Sequence, residues 1–323
     1  MEKIIDKIRE TRNVKESTLA QYKTSITVLC EMLNDGKICD INNLDFLEDT
    51  KTVMNKFKDM KLTTKKNKIG MILVLLGLDK DKYSDTIQKY RDIARELRDT
   101  HDKFINTQTK TETQKKNWIE FKDYQKLVNK ISRQLNKDGI RKKDILSKSE
   151  YQLLMTFVFL FTFQHYPFRN TFSSIKIIDK KDYEEIANDH KGNWLIIDND
   201  KPVEFILHDY KTSGAYGMKT IKINKKVQNV MRVWLKHNKS GYLFTALNNP
   251  NSRMSSNNFT RWVQSIFKTN FNKTIGTTLL RHIIISHEHK DKPSIKEVEE
   301  SEKKTEDKYL HSSEMNMKYA KKD

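Results

Sequence analysis

The chain has 323 residues, 36% hydrophobic and 32% charged, with 61 lysines and arginines against 43 acids and a formal net charge of +18. This is enough apolar material for a core in each of two domains beneath a very polar surface. The cationic excess points to a polyanionic partner, nucleic acid first; a lysine-rich solubilising surface is the plainer alternative.

The opening "MEKIIDKIRETRN" is charged throughout and has no apolar run of signal-peptide type. Residues 1–106 read as a helical domain. "ESTLAQYKTSITVLCEML", "TKTVMNKFKDM" and "TTKKNKIGMILVLLGL" carry apolar residues at helical spacing, and "YSDTIQKYRDIARELRDTHDKFIN" is a long polar helix with an apolar stripe. Glycine and proline are almost absent here, as in a small helical bundle. The two cysteines, Cys30 and Cys39, lack metal-type spacing. They predict a reducing, intracellular compartment and no disulfide framework.

"TQTKTETQKKN", residues 107–117, has no apolar residue and reads as an interdomain linker. Residues 118–323 form the predicted second domain. It opens with an amphipathic helix, "WIEFKDYQKLVNKISRQL", followed by "KSEYQLLMTFVFLFTFQHYPF". The apolar run "LLMTFVFLFTF" is shorter than the ~20 residues a bilayer needs, so it reads as the most buried helix of this domain. "NWLIID", "VEFILHDY" and "KTIKIN" then predict a three-stranded antiparallel meander. Helices return in "KVQNVMRVWLKHN", "SSNNFTRWVQSIFKTNF" and "GTTLLRHIIISHEH". Residues 290–308 are nearly all charge, a solvated helix or a mobile segment. The expected class is mainly α, with an α+β second domain.

Four basic groups and one tyrosine stand out. Arg169 follows the buried helix, whose end Pro167 marks, so the arginine belongs at a rim. Lys211 lies in the hairpin after the second predicted strand. Arg281 interrupts an apolar helix, between Leu279–Leu280 and Ile283–Ile285, where a charge is costly without an anion. His311 precedes Tyr319 by eight positions, and four residues follow the tyrosine. Taken singly, Arg169 reads as a salt-bridged helix end, Lys211 as a solvated turn and Tyr319 as a packed side chain.

Taken together and in this order, they resemble the tyrosine recombinases, or phage-type integrases. The likeness rests on the arginine after a buried helix, the lysine in the hairpin "YKTSGAYGMKTIKI", the arginine in "TTLLRHIII" and the tail "LHSSEMNMKYA". It spans roughly residues 117–321, and the helical first third fits the family's core-binding domain. The resemblance implies a chemistry. Tyr319 attacks a DNA phosphodiester and forms a 3′-phosphotyrosyl bond, releasing a 5′-hydroxyl; two transesterifications conserve the bond energy without ATP. Arg169 and Arg281 clamp the phosphorane oxygens, Lys211 protonates the leaving oxygen, and His311 hydrogen-bonds the phosphate. Neither metal nor other cofactor is implied. The partner is double-stranded DNA, bound by a monomer or dimer that becomes a tetramer during strand exchange.

Three positions depart from the family pattern. Thr278 stands three before Arg281, where histidine is usual; a hydroxyl is a poor base at neutral pH. Phe172 stands three after Arg169, where an acid is common, and Leu310 replaces the glycine before His311. His282 projects about 100° away from Arg281 on a helix, which implies a structural role. His282, His287 and His289 lack the spacing of a helical zinc site. No Gly-rich phosphate loop or Gly-x-Ser-x-Gly elbow occurs. The rivals are a type IB-like topoisomerase, a DNA-binding protein of this fold with impaired catalysis, and a basic scaffold without chemistry.

Overall fold

Ser147 opens the most apolar helix of the chain with a reciprocal cap. Its hydroxyl accepts from the Glu150 amide at 3.3 Å, and the Glu150 carboxylate accepts from the Ser147 amide at 2.9 Å. The computed structural model describes residues 1–37, 39–40, 42–186, 192–298 and 300–301. They divide into two compact units: Met1–Thr109 with the described residues from Pro293 onward, and Lys110–Lys292.

The first unit is helical. It contains α1 (Glu2–Thr11), α2 (Glu16–Leu33), α3 (Thr50–Lys56), α4 (Leu62–Leu76) and α5 (Ser84–Asn106). Ile8, Ile26, Leu29, Phe57, Ile69 and Leu75 are among the side chains of its core. Two tyrosines pin the chain before α3 to that core: Tyr83 donates to Asp45 Oδ1 at 2.7 Å, and Tyr90 to the Leu47 carbonyl at 2.8 Å. The cysteine expectation is corrected. Cys30 and Cys39 are bonded, with Cα atoms 5.5 Å apart, because the turn after α2 folds back on the helix. In the charged region past 290, Ser294 and Glu297 form a reciprocal cap, and residues 295–298 and 300–301 are helical.

The second unit contains α6 (Glu112–Asn117), α7 (Phe121–Lys137), α8 (Lys148–His165), β1 (Ile175–Asp179), α9 (Lys180–Ile186), β2 (Asn193–Asp198), β3 (Lys201–Leu207), α10 (Ser213–Tyr216), β4 (Lys219–Lys222), α11 (Lys225–His237), β5 (Thr245–Ala246), β6 (Asn249–Arg253), α12 (Ser256–Phe271) and α13 (Thr277–Glu288). The stretch read as linker therefore contains a helix. Thr111 and Gln114 cap α6 reciprocally, which holds it without an apolar face. The predicted meander is present as β2–β3–β4, antiparallel throughout, and β1 adds a fourth, parallel strand beside β2. A two-stranded β5–β6 hairpin lies apart from it. The chain is thus mainly α, with a small mixed sheet. Its core runs along α8, where Met155, Val158, Phe159, Leu160 and Phe163 are fully buried. Among the described residues, no helix is long and apolar enough to cross a membrane.

Candidate active site

The α8 helix ends at His165, two residues before Pro167, and Arg169 N-caps a short 3₁₀ turn, Asn170–Ser174. The next residue, Asn170, is the hub of this corner. Its Oδ1 accepts from the Thr277 hydroxyl at 2.6 Å, and its Nδ2 donates to Thr260 Oγ1 at 2.8 Å. One side chain therefore ties the Arg169 turn to α12 and to the first turn of α13. Arg281 lies four residues after Thr277, on the same face of α13. The two guanidiniums are brought near each other. Burial pulls the Arg281 pKa below its ordinary value, and the positive charge of Arg169 pushes it the same way. Among the described residues, no hydrogen-bond or ion-pair partner meets either group. Arg169 is exposed and Arg281 half-buried.

A second asparagine organises Lys211. Asn193, at the start of β2, is 1% exposed. Its Nδ2 donates to Ser174 Oγ at 2.8 Å and to the Asp209 carbonyl at 2.7 Å. Its Oδ1 accepts from the amides of His208 and Asp209 at 3.1 and 3.0 Å. The amide's hydrogen-bonding capacity is filled. It fastens the end of the Arg169 turn to the start of the β3–β4 connection, in which Lys211 stands exposed two residues later.

Asn170 and Asn193 thus link the segments that bear three cations: Arg169, Lys211 and Arg281. Chemically, two unneutralised guanidinium forks and an ammonium suit an oxyanion with several exposed oxygens, such as a phosphodiester. Thr278 is exposed on the first turn of α13. His311, Tyr319 and Leu310 lie outside the described residues. Phe172 is fully buried among Phe159, Phe163, Phe168, Phe205 and Phe244, with ring centroids 5.1–6.4 Å away. His282 is exposed, whereas His287 stacks on Phe121 at 4.1 Å and His289 bonds the Ile285 carbonyl at 3.2 Å. Among the described residues, no three potential metal ligands converge.

Sequence reasoning missed Asn170, Asn193, Thr260 and Thr277. Only the position of Asn170 beside Arg169 offered a signal, and a neutral amide after a charged residue is an ordinary pattern. Compared with known proteins, the sequence matches no protein-family model and no curated protein.

Proposed function

We propose that the protein is a site-specific DNA recombinase or integrase that cuts and rejoins double-stranded DNA through a covalent 3′-phosphotyrosyl intermediate. The observation that carries this reading is the pair Arg169 and Arg281, held on either side of one asparagine and unneutralised among the described residues. Like charges brought together near a protein surface favour an anion between them, and a net charge of +18 suits a polyanionic one.

In this reading the two guanidiniums hold the non-bridging phosphate oxygens and stabilise the charge that builds on them as phosphorus becomes five-coordinate. Tyr319 supplies the attacking oxygen and gives up its proton to water; the new P–O bond forms as the bond to the 5′-oxygen breaks. Lys211 donates its proton to that leaving oxygen. His311 adds a hydrogen bond to the phosphate, and Thr278 orients rather than deprotonates. The reverse attack by a 5′-hydroxyl restores the DNA and the tyrosine, so no ATP is consumed. Strand exchange joins four protomers on two sites.

The first unit supports the same reading. A cleft of about 750 Å³ between α2 and α4 is lined in part by the apolar Val28, Met71 and Val74, and it also carries Arg12, Lys66 and Lys68, whose charges suit phosphate contacts. That substrate places the protein inside a cell, in the cytoplasm, the nucleus or a viral replication site.

The test is covalent trapping. The protein is incubated with a nicked suicide duplex carrying candidate element ends, and the products are run on a denaturing gel. A band that survives SDS, forms without divalent metal and vanishes in Tyr319→Phe supports the reading. Intermolecular strand exchange then separates a recombinase from a topoisomerase. Tight retention on DNA with no covalent band from any such end overturns it in favour of a catalytically impaired DNA binder.

A further inference from the structure

The β3–β4 connection carries an unusual combination. Residues 208–218 hold one acid, Asp209, and one lysine, Lys211; four more lysines follow, Lys219 and Lys222 on β4 and Lys225 and Lys226 at the start of α11, with no acid among them. At the tip of this connection, next to the basic strand β4, two large side chains face outward: Tyr216 is 65% exposed and Met218 54% exposed. Between them Gly217 sits at φ +63° and ψ −162°, a conformation open to glycine and strained for other residues.

The tip is held in place from within. Three backbone bonds close the single turn of α10: Ala215 and Tyr216 donate to the Thr212 carbonyl at 3.1 Å each, and Gly217 donates to the Ser213 carbonyl at 2.8 Å. The Tyr210 hydroxyl then donates across the loop to the Gly217 carbonyl at 2.7 Å. At its base, Asn193 fixes the backbone of His208 and Asp209. No residue of α10 is buried, so the turn covers no core. The tip thus presents two large side chains to water on a frame that is braced from within, a shape suited to insertion into a partner's groove. The ring of Tyr216 already has one cation near its face, the Lys219 ammonium at 5.9 Å.

We propose that this tip is a wedge for duplex DNA: Tyr216 and Met218 enter a groove and press on one base step, while the flanking lysines hold the phosphates on either side. Apolar side chains driven between base steps unstack them and kink the duplex, and lysines beside them neutralise the backbone. Because Lys211 stands five residues before Tyr216 in the same braced connection, the wedge sets which phosphate Lys211 faces. Tyr216 and Met218 are positioning residues; they take no part in bond making. The proposal rests on the DNA reading above.

The experiment uses the full chain and a duplex that the chain itself selects from a random pool. Copies of that duplex carry 2-aminopurine at successive positions. With the native protein, fluorescence rises about twofold or more at one or two adjacent positions, the mark of local unstacking. In Tyr216→Ala with Met218→Ala the rise disappears, and binding weakens by about tenfold, the factor that one base–aromatic contact supplies. Tyr216→Phe keeps both. Both positions are exposed, so the variants retain the native melting temperature. If the native chain binds DNA but no position brightens, or if the double variant brightens as the native chain does, the wedge is wrong and the DNA reading stands. If the native chain retains no duplex from the pool, the DNA reading fails and the wedge with it.

Discussion

The Thr277 hydroxyl donates to Asn170 Oδ1 at 2.6 Å across 107 positions of sequence. This bond sets the first turn of α13 against the turn that begins at Arg169, and so brings Arg281 within reach of the Arg169 charge. Thr277→Val keeps the shape and removes the donor. It leaves a partly buried acceptor unpaired, so unfolding free energy falls by about 1–3 kcal/mol. On the proposed recombinase reading, DNA cleavage should fall further than stability alone explains, because the two guanidiniums lose their register, and Thr277→Ser should recover both. Urea unfolding together with single-turnover trapping separates the two effects.

Arg281 is held at a cost. It is half-buried beside another guanidinium, and both influences lower its pKa. Arg281→Met is therefore expected to leave the apo protein as stable as before or slightly more so, while covalent trapping slows by about 10²-fold or more. Sulfate or inorganic phosphate should raise the melting temperature of the native protein by mass action and do so less in Arg281→Met. Equal anion stabilisation of the two proteins would remove Arg281 from the anion site.

Lys211 as proton donor has a sharper test. Lys211→Ala should slow cleavage by about 10²–10⁴-fold on ordinary DNA. A substrate with sulfur in place of the 5′-bridging oxygen leaves without protonation, so the variant should recover on it. Asn193→Ala should show a milder form of the same pattern, because Asn193 acts through the backbone that carries Lys211. Failure of the sulfur substrate to rescue Lys211→Ala would assign the lysine to phosphate binding instead.

The cap of α8 carries a pH dependence. Glu150 is pulled from its ordinary 4.5 down to about 2, first by the Lys143 ammonium and then by the Ser147 amide and hydroxyl. A carboxyl depressed in the folded state stabilises it fully above the unfolded pKa, and the contribution fades as pH falls toward the folded one. Stability should therefore decline between about pH 4.5 and 2, and Glu150→Gln should flatten that part of the curve. Thermal melts across that window check it.

What was legible in the sequence follows from where the determining forces lie. Helix α8 announced itself because its burial comes from its own apolar residues and its stop from Pro167. The strands β2, β3 and β4 were legible for the same reason: short β-branched or aromatic runs and the turn residues between them are local. Strand β1 is five residues long, and its pairing with β2 depends on a crossover, which no local pattern encodes. Helix α6 could have been found, since Thr111-x-x-Gln114 is a capping signal, but the absence of apolar residues hid it. Arg169, Lys211 and Arg281 were visible as types and spacings. Asn170 and Asn193 were not, because an amide's partners are set by the tertiary fold and its neighbours in sequence carry no trace of them.

Phe172 stands where the tyrosine recombinases, which the sequence resembles, commonly have an acid. An acid three residues after Arg169 would have to occupy the centre of an aromatic cluster in which Phe172 is fully buried. Phe172→Glu should destabilise the chain by about 4 kcal/mol or more, since a buried carboxyl there meets rings and no donor. Phe172→Ala should cost about 3–5 kcal/mol through the cavity it leaves. Phe172→Leu, which keeps most of the volume, should fold, and it should trap DNA at close to the native rate. In this chain the support for Arg169 then comes from Asn170 and packing rather than from a carboxylate. If Phe172→Glu instead folds normally and raises the trapping rate, the aromatic cluster is dispensable and a carboxylate supports Arg169 better than packing does.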